Sequence, residues 1–140
     1  MQESYKIKIK VISFDNNDDL FFSQIMFNNG ICSTRFEFYH YADEFKMLGN
    51  ELISFPKNIN HKINFEKGKN DENHWNYLLL NIFCHEINGE STISVFSKQN
   101  GSVENKFCCE FNIRCYPADI NKLGKLLTNW NPNINNELLW

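Results

Sequence analysis

The stretch Phe36-Glu37-Phe38-Tyr39-His40-Tyr41-Ala42-Asp43-Glu44-Phe45 decides the fold, because the period of its apolar residues changes partway through. Phe36 and Phe38 alternate with polar neighbours, which is typical of a strand with one buried face. The apolar residues then recur at steps of three and four, namely Phe45, Leu48, Leu52 and Phe55. That spacing predicts an amphipathic helix, and Pro56 is expected to end it. The stretch therefore predicts a strand that runs directly into a helix.

A second junction of the same kind lies 75 positions further along, at Tyr116-Pro117-Ala118-Asp119-Ile120. The matched pairs are Phe36/Phe111, Phe38/Ile113, Tyr41/Tyr116, Phe45/Ile120, Leu48/Leu123, Leu52/Leu127 and Phe55/Trp130. Any strand entering an amphipathic helix would match at some core positions. Both helices also carry a central glycine, Gly49 and Gly124, which costs roughly 1 kcal/mol relative to alanine. The shared glycine favours an internal duplication, with each helix closely approached by a sheet or a helix.

Seven strands are predicted around these junctions, at 5–14, 20–27, 31–41, 61–66, 77–86, 91–97 and 103–116. Asn29-Gly30 and Asn88-Gly89 predict tight hairpins. The segment 77–86 has apolar residues at both odd and even positions, which predicts a central strand covered on both faces. We therefore predict a single α+β domain over residues 1–140, with halves at about 5–60 and 77–135. It would hold a mostly antiparallel sheet of about six or seven strands, with two amphipathic helices over one face.

Composition excludes several classes of function. The net charge is −3 and the pI is near 5.8, whereas nucleic-acid binding domains are usually basic. The first residues do not resemble a signal peptide, and no apolar stretch approaches the roughly 18 residues of a membrane helix. The five cysteines do not have the spacing of a disulfide framework. We therefore expect a cytoplasmic protein with no nucleic-acid or membrane partner.

No motif for catalysis or metal binding is recognisable. His85-Glu86-Ile87-Asn88-Gly89 begins like a zincin motif, but glycine stands where the second histidine is required. The cysteines lack paired C-x-x-C spacing, and neither G-x-S-x-G nor a phosphate-binding glycine loop is present. Cys84 with a distant histidine is an open alternative, although its parity favours core packing. We predict no catalytic residue, no metal and no cofactor.

Acidic and aromatic side chains are the remaining candidates for function. The acidic ones are Asp15, Asp18 and Asp19 in a turn, and Asp43, Glu44 and Glu51 on the first helix. The aromatic ones, as candidate anchors for a protein partner, are Tyr39, Tyr41 and Trp75. Carboxylates can steer a basic partner, and Tyr and Trp are common interface hot spots. The alternative is that the carboxylates only keep the domain soluble and the rings belong to the core.

The order of elements resembles that of the WapI-type immunity proteins, small bacterial proteins found beside secreted polymorphic toxins. The resemblance covers roughly residues 20–131, and its most specific parts are the two strand-to-helix junctions, which carry Asp43 and Asp119. It implies a non-enzymatic inhibitor that binds and neutralises a cognate toxin domain. It assigns no binding residues. The net charge leads us to expect that this toxin domain is basic.

Two other classes of function stay open at this stage. One is a small-ligand pocket or enzyme between sheet and helices, for which polar side chains such as His85 or Arg114 would converge in a cavity. The other is a structural module that self-associates as a homodimer through an aromatic sheet face.

Overall fold

The computed structural model describes residues 4–140, which form eight strands and two helices. The strands are β1 (Ile7–Asp15), β2 (Leu20–Asn28), β3 (Ser33–His40), β4 (Lys62–Gly68), β5 (Asn76–Cys84), β6 (Ser91–Gln99), β7 (Phe107–Cys115) and β8 (Glu137–Leu139). The helices are α1 (Ala42–Ile53) and α2 (Pro117–Asn129). The predicted α+β class, with antiparallel pairing and two amphipathic helices, is confirmed. The short strand β8 was not predicted, and the strands form two sheets.

Each sheet combines the three-stranded meander of one half of the chain with the strand that follows the helix of the other half. The first sheet has the order β3-β2-β1-β8 and the second the order β4-β5-β6-β7. β4 follows α1 yet pairs with β5, whereas β8 follows α2 and pairs with β1. The halves therefore exchange the strand that follows each helix. The internal repeat continues into these strands. Ile63 in β4 and Leu138 in β8 lie 75 positions apart, and both are buried.

The two helices pack against each other at their glycines. Gly49 and Gly124 are both buried at this crossing, where the backbone of one helix touches that of the other. The predicted close approach is therefore correct, and the approaching element is the other helix.

The two junctions share a hydrogen bond as well as a sequence pattern. The backbone N–H of Tyr41 donates to Glu44 Oε2 at 2.6 Å, and that of Tyr116 donates to Asp119 Oδ2 at 3.2 Å. Each carboxylate thus satisfies a backbone donor just before its helix and lies at the positive end of the helix dipole. The residue equivalent to Asp119 is therefore Glu44 rather than Asp43.

The core lies between the two sheets and the helix pair. An apolar void of about 20 Å³ lies within this core and is lined by residues of both sheets and both helices. β5 is an inner strand, as predicted, but its outer face is not covered by a second layer, since Leu79 and Phe83 are half-buried. β7 begins at Phe107 rather than 103, because residues before it form a turn in which Val103 is exposed. No helix within residues 4–140 is both long and apolar enough to cross a membrane.

Candidate protein-binding surface

Strand register brings six of the predicted binding residues to one end of the first sheet. β2 pairs with β3 so that Phe22 lies opposite Tyr39, and the turn that joins β1 to β2 lies at the same end. The C-terminal end of β3 leads at once into α1. We call this region the junction surface, and its members are all exposed: Asp15, Asp18, Asp19, Tyr39, Tyr41 and Asp43.

Internal contacts hold the junction surface in shape. The Tyr39 and Phe22 rings pack with their centroids 4.7 Å apart. Asp15 Oδ1 accepts the N–H of Asn17 at 2.9 Å, which closes the turn. Asp19 adopts a left-handed backbone with φ of 52°. The surface is therefore built on a sheet edge, a closed turn and a helix start, and its carboxylates face solvent.

Glu44, also predicted as a binding residue, is used inside the fold. Its Oε2 accepts the Tyr41 N–H, and its Oε1 forms a 2.6 Å ion pair with Lys67 Nζ on β4. The Lys67 ammonium also lies 5.7 Å from the centre of the Phe38 ring. One Glu44 oxygen therefore caps α1 and the other ties the helix to β4, so we leave Glu44 out of the junction surface.

Glu51 and Trp75 lie apart from the other candidates. Glu51 is exposed two turns beyond Asp43, about 12 Å further along α1. Trp75 is exposed just before β5, where its ring covers Gly101. The next residue connects to β3, because the Asn76 side-chain amide donates to the Glu37 carbonyl oxygen at 2.6 Å. Their role in binding stays a prediction, as it does for the junction surface.

A buried polar pair lies beneath the junction surface. His40 Nε2 is 2.7 Å from Ser23 Oγ, and its Nδ1 is 3.1 Å from the Tyr41 carbonyl oxygen. A carbonyl can only accept, so Nδ1 carries the proton and Nε2 accepts from the serine hydroxyl. Burial lowers the pKa of His40. Both side chains are inaccessible, so the pair is structural rather than catalytic. His40 stands at an even position of the strand, like the core residues Phe36 and Phe38, and this alternation could have identified it as a core residue.

The side chains proposed for a ligand pocket converge on Glu90. Arg114 forms a 2.6 Å ion pair with Glu90 Oε2, and His85 Nε2 lies 3.8 Å from the same oxygen. His85 Nδ1 is also 2.7 Å from Thr92 Oγ1. The guanidinium lowers the pKa of Glu90. The group lies at the outer surface beside a cleft of about 230 Å³, and not between sheet and helices.

Cys84 is half-buried against the core, as its position on the strand favoured, and alternation along β7 places the cysteines of that strand. Cys115 is buried, Cys109 is half-buried against the core and Cys108 is exposed. Burial raises the pKa of the Cys115 thiol to about 11, so it stays protonated at neutral pH. Within residues 4–140 no group of three or more His, Cys, Asp or Glu side chains is arranged to hold a metal ion.

Comparison with known proteins identifies no family for this chain. No protein-family model matches the chain, and no curated protein matches it significantly. The resemblance to WapI-type immunity proteins is therefore carried by the order of elements and by the two junctions alone.

Proposed function

We propose that this chain is a non-enzymatic protein-binding module that neutralises a basic toxin domain. The observation that carries the proposal is the junction surface, where exposed Tyr39 and Tyr41 lie at the same end of one sheet as four carboxylates. Tyrosines of this kind supply contact area with little loss of side-chain entropy, and are common hot spots. Carboxylates around them would attract a basic partner and speed its association.

The local charge balance supports a basic partner. Lys67, a cation beside the first turn of α1, is neutralised by Glu44 at 2.6 Å. Asp18 and Asp43 are exposed, so their charges act outward. Because the ring of Tyr39 rests on Phe22 and the sheet below is packed, little ordering would be needed on binding.

Co-expression with the toxin domain encoded beside this chain tests the proposal. We expect rescue of growth and a one-to-one complex by size-exclusion chromatography with light scattering. Tyr41→Ala should weaken that complex, whereas Tyr116→Ala is the matched control. The two tyrosines precede equivalent helices and are 51% and 60% exposed. A folded chain that neither binds nor rescues would contradict the proposal.

A small-ligand site is the second candidate function. It is favoured by the convergence of His85, Glu90 and Arg114 beside a surface cleft. Such a site would respond to Arg114→Gln in a thermal-shift screen of small carboxylates and phosphates, and would be indifferent to Tyr41→Ala. The toxin-binding proposal predicts the opposite pattern for these two variants.

A further inference from the structure

An open groove lies between the outer face of α2 and the strand β8. Its volume is about 740 Å³. Apolar side chains on its walls are open to solvent, with Leu126 41% exposed, Leu139 43% and Ile134 84%. This groove lies outside the junction surface and has no part in the function proposed above. Exposed apolar side chains grouped along one groove are typical of an interaction site.

One wall of the groove is the edge of a sheet. β8 is the outermost strand of the first sheet, and its inner edge pairs with β1. The Trp140 N–H donates to Ile7 O at 2.9 Å, and Asn136 O accepts from the Val11 N–H at 2.8 Å. Because alternate residues of a strand face opposite edges, the N–H and C=O groups of Leu139 face away from β1. An extended segment could add to this edge as a further strand.

The fold itself does not require leucine at two exposed positions of this groove, 126 and 139. The internal repeat supplies the comparison, because positions 75 residues earlier occupy the same places on α1 and β4. Leu126 corresponds to Glu51 and Leu139 to Asn64, while the buried neighbours Leu127 and Leu52 match in type. One half therefore tolerates polar residues where the other exposes leucine, so the leucines are not explained by packing.

Charge indicates what kind of segment would bind. Lys122 and Lys125 lie on the α2 wall, and their counterparts on α1, Met47 and Asn50, are uncharged. The carboxylate of the groove, Glu137, is paired with Lys8 at 3.6 Å. The groove therefore has an excess of positive charge. We propose that it docks an extended partner segment of alternating acidic and apolar residues, which adds a strand to β8.

The test uses a fluorescein-labelled, end-capped peptide of six residues in which aspartate and leucine alternate. We expect saturable binding by fluorescence anisotropy, and little binding of a peptide with lysine in place of aspartate. A peptide N-methylated at alternate residues, on the edge that would pair with β8, should also bind weakly because strand pairing needs those N–H groups.

The matched variant copies the other half of the molecule. Lys125→Asn, Leu126→Glu and Leu139→Asn together install the counterparts Asn50, Glu51 and Asn64, which the same fold accommodates. This variant should weaken peptide binding by at least about tenfold. The control is Lys46→Glu with Met47→Asn, which makes the same change in net charge and replaces an exposed apolar side chain on the exposed face of α1, and it should leave the affinity unchanged. Urea midpoints close to that of the parent chain establish that both variants are folded.

Four outcomes would overturn the proposal. The peptide of alternating aspartate and leucine could show no saturable binding to the parent chain. The triple variant could bind as tightly as the parent chain, or the N-methylated peptide could bind as tightly as the unmodified one. The parent chain could also sediment as a dimer that the triple variant abolishes, which would show that a second copy fills the groove.

Discussion

Gly49 and Gly124 face each other where the two helices cross, and a Cβ atom added to either one would lie 2.8 Å from the carbonyl oxygen of the other. A Cβ on Gly124 would also lie 2.7 Å from the Ile53 backbone nitrogen. Real Cβ atoms do not approach other atoms so closely, and backbone cannot move aside as a side chain can. The shared glycine therefore sets the distance between the helices.

Gly124→Ala should destabilise the protein despite the better helix propensity of alanine. Alanine gains roughly 1 kcal/mol in propensity. The clash with two backbone groups should outweigh this gain, so we expect a net loss of about 1–3 kcal/mol. Urea unfolding followed by circular dichroism measures the difference. Asn50→Ala, at an exposed neighbour of Gly49, is the control and should be neutral or slightly stabilising. A stabilised Gly124→Ala variant would show that the helices can separate at little cost.

Leu123→Ala tests the buried face of α2. Leu123 is buried among apolar residues of the core, so its truncation should cost about 2–5 kcal/mol. Lys125 is exposed, two positions further along α2. Its change to alanine should lower the free energy of unfolding by about 0.5 kcal/mol or less. Equal urea midpoints for the two variants would contradict the assigned helix face.

The sequence disclosed local features well, because period and turn residues act over a few positions. The change of period at Phe36–Phe45 and its repeat predicted both helices, and the paired glycines predicted that each helix is closely approached by a sheet or a helix. The exchange of β4 and β8 between halves was not predictable, since strand partners are chosen by tertiary packing. β8 is three residues long, too short for an alternating pattern. The groove beside it depends on that placement and was missed with it.

Part of the candidate site could likewise be predicted from the sequence, and part depended on tertiary contacts. Tyr39 and Tyr41 stand at odd positions, whereas the core residues Phe36 and Phe38 stand at even ones. Because alternate residues of a strand face opposite sides, the sequence alone indicated that both tyrosines are exposed. The internal use of Glu44 required the position of Lys67, which lies 23 residues away. No pattern within one strand reports such a contact.

His40 should make stability depend on pH. Burial lowers its pKa in the folded state, whereas an unfolded histidine titrates near 6.5. Below about pH 6.5 the unfolded chain therefore binds the additional proton, so the free energy of unfolding should fall as pH falls. Glu44 and Lys67 are the nearby charges, and they act on His40 in opposite directions. Urea unfolding between pH 7.5 and about pH 5 measures the slope.

His40→Gln removes the titrating group and should flatten that slope, although the variant will be less stable at neutral pH. His61→Gln is the control, since His61 is half-buried at the end of the loop before β4, where its Nδ1 accepts the Lys57 N–H. An unchanged slope in His40→Gln would assign the pH dependence to another residue.

Charge reversal on the junction surface should act mainly on the rate of association. Asp18→Lys with Asp43→Lys replaces two exposed carboxylates, so long-range attraction of a basic toxin domain is lost. We expect the association rate to fall by about tenfold at low salt and its salt dependence to weaken, with little change in the dissociation rate.

Glu104→Lys with Glu110→Lys makes the same change in net charge at exposed positions outside the junction surface, in the loop before β7 and on β7. Surface plasmon resonance at several salt concentrations separates the two variants, because steering depends on where the charge is lost and not only on its amount. Tyr39→Ala should instead speed dissociation, since an aromatic anchor contributes after contact. Equal association rates for the two charge-reversal variants would mean that the carboxylates of the junction surface act only on solubility.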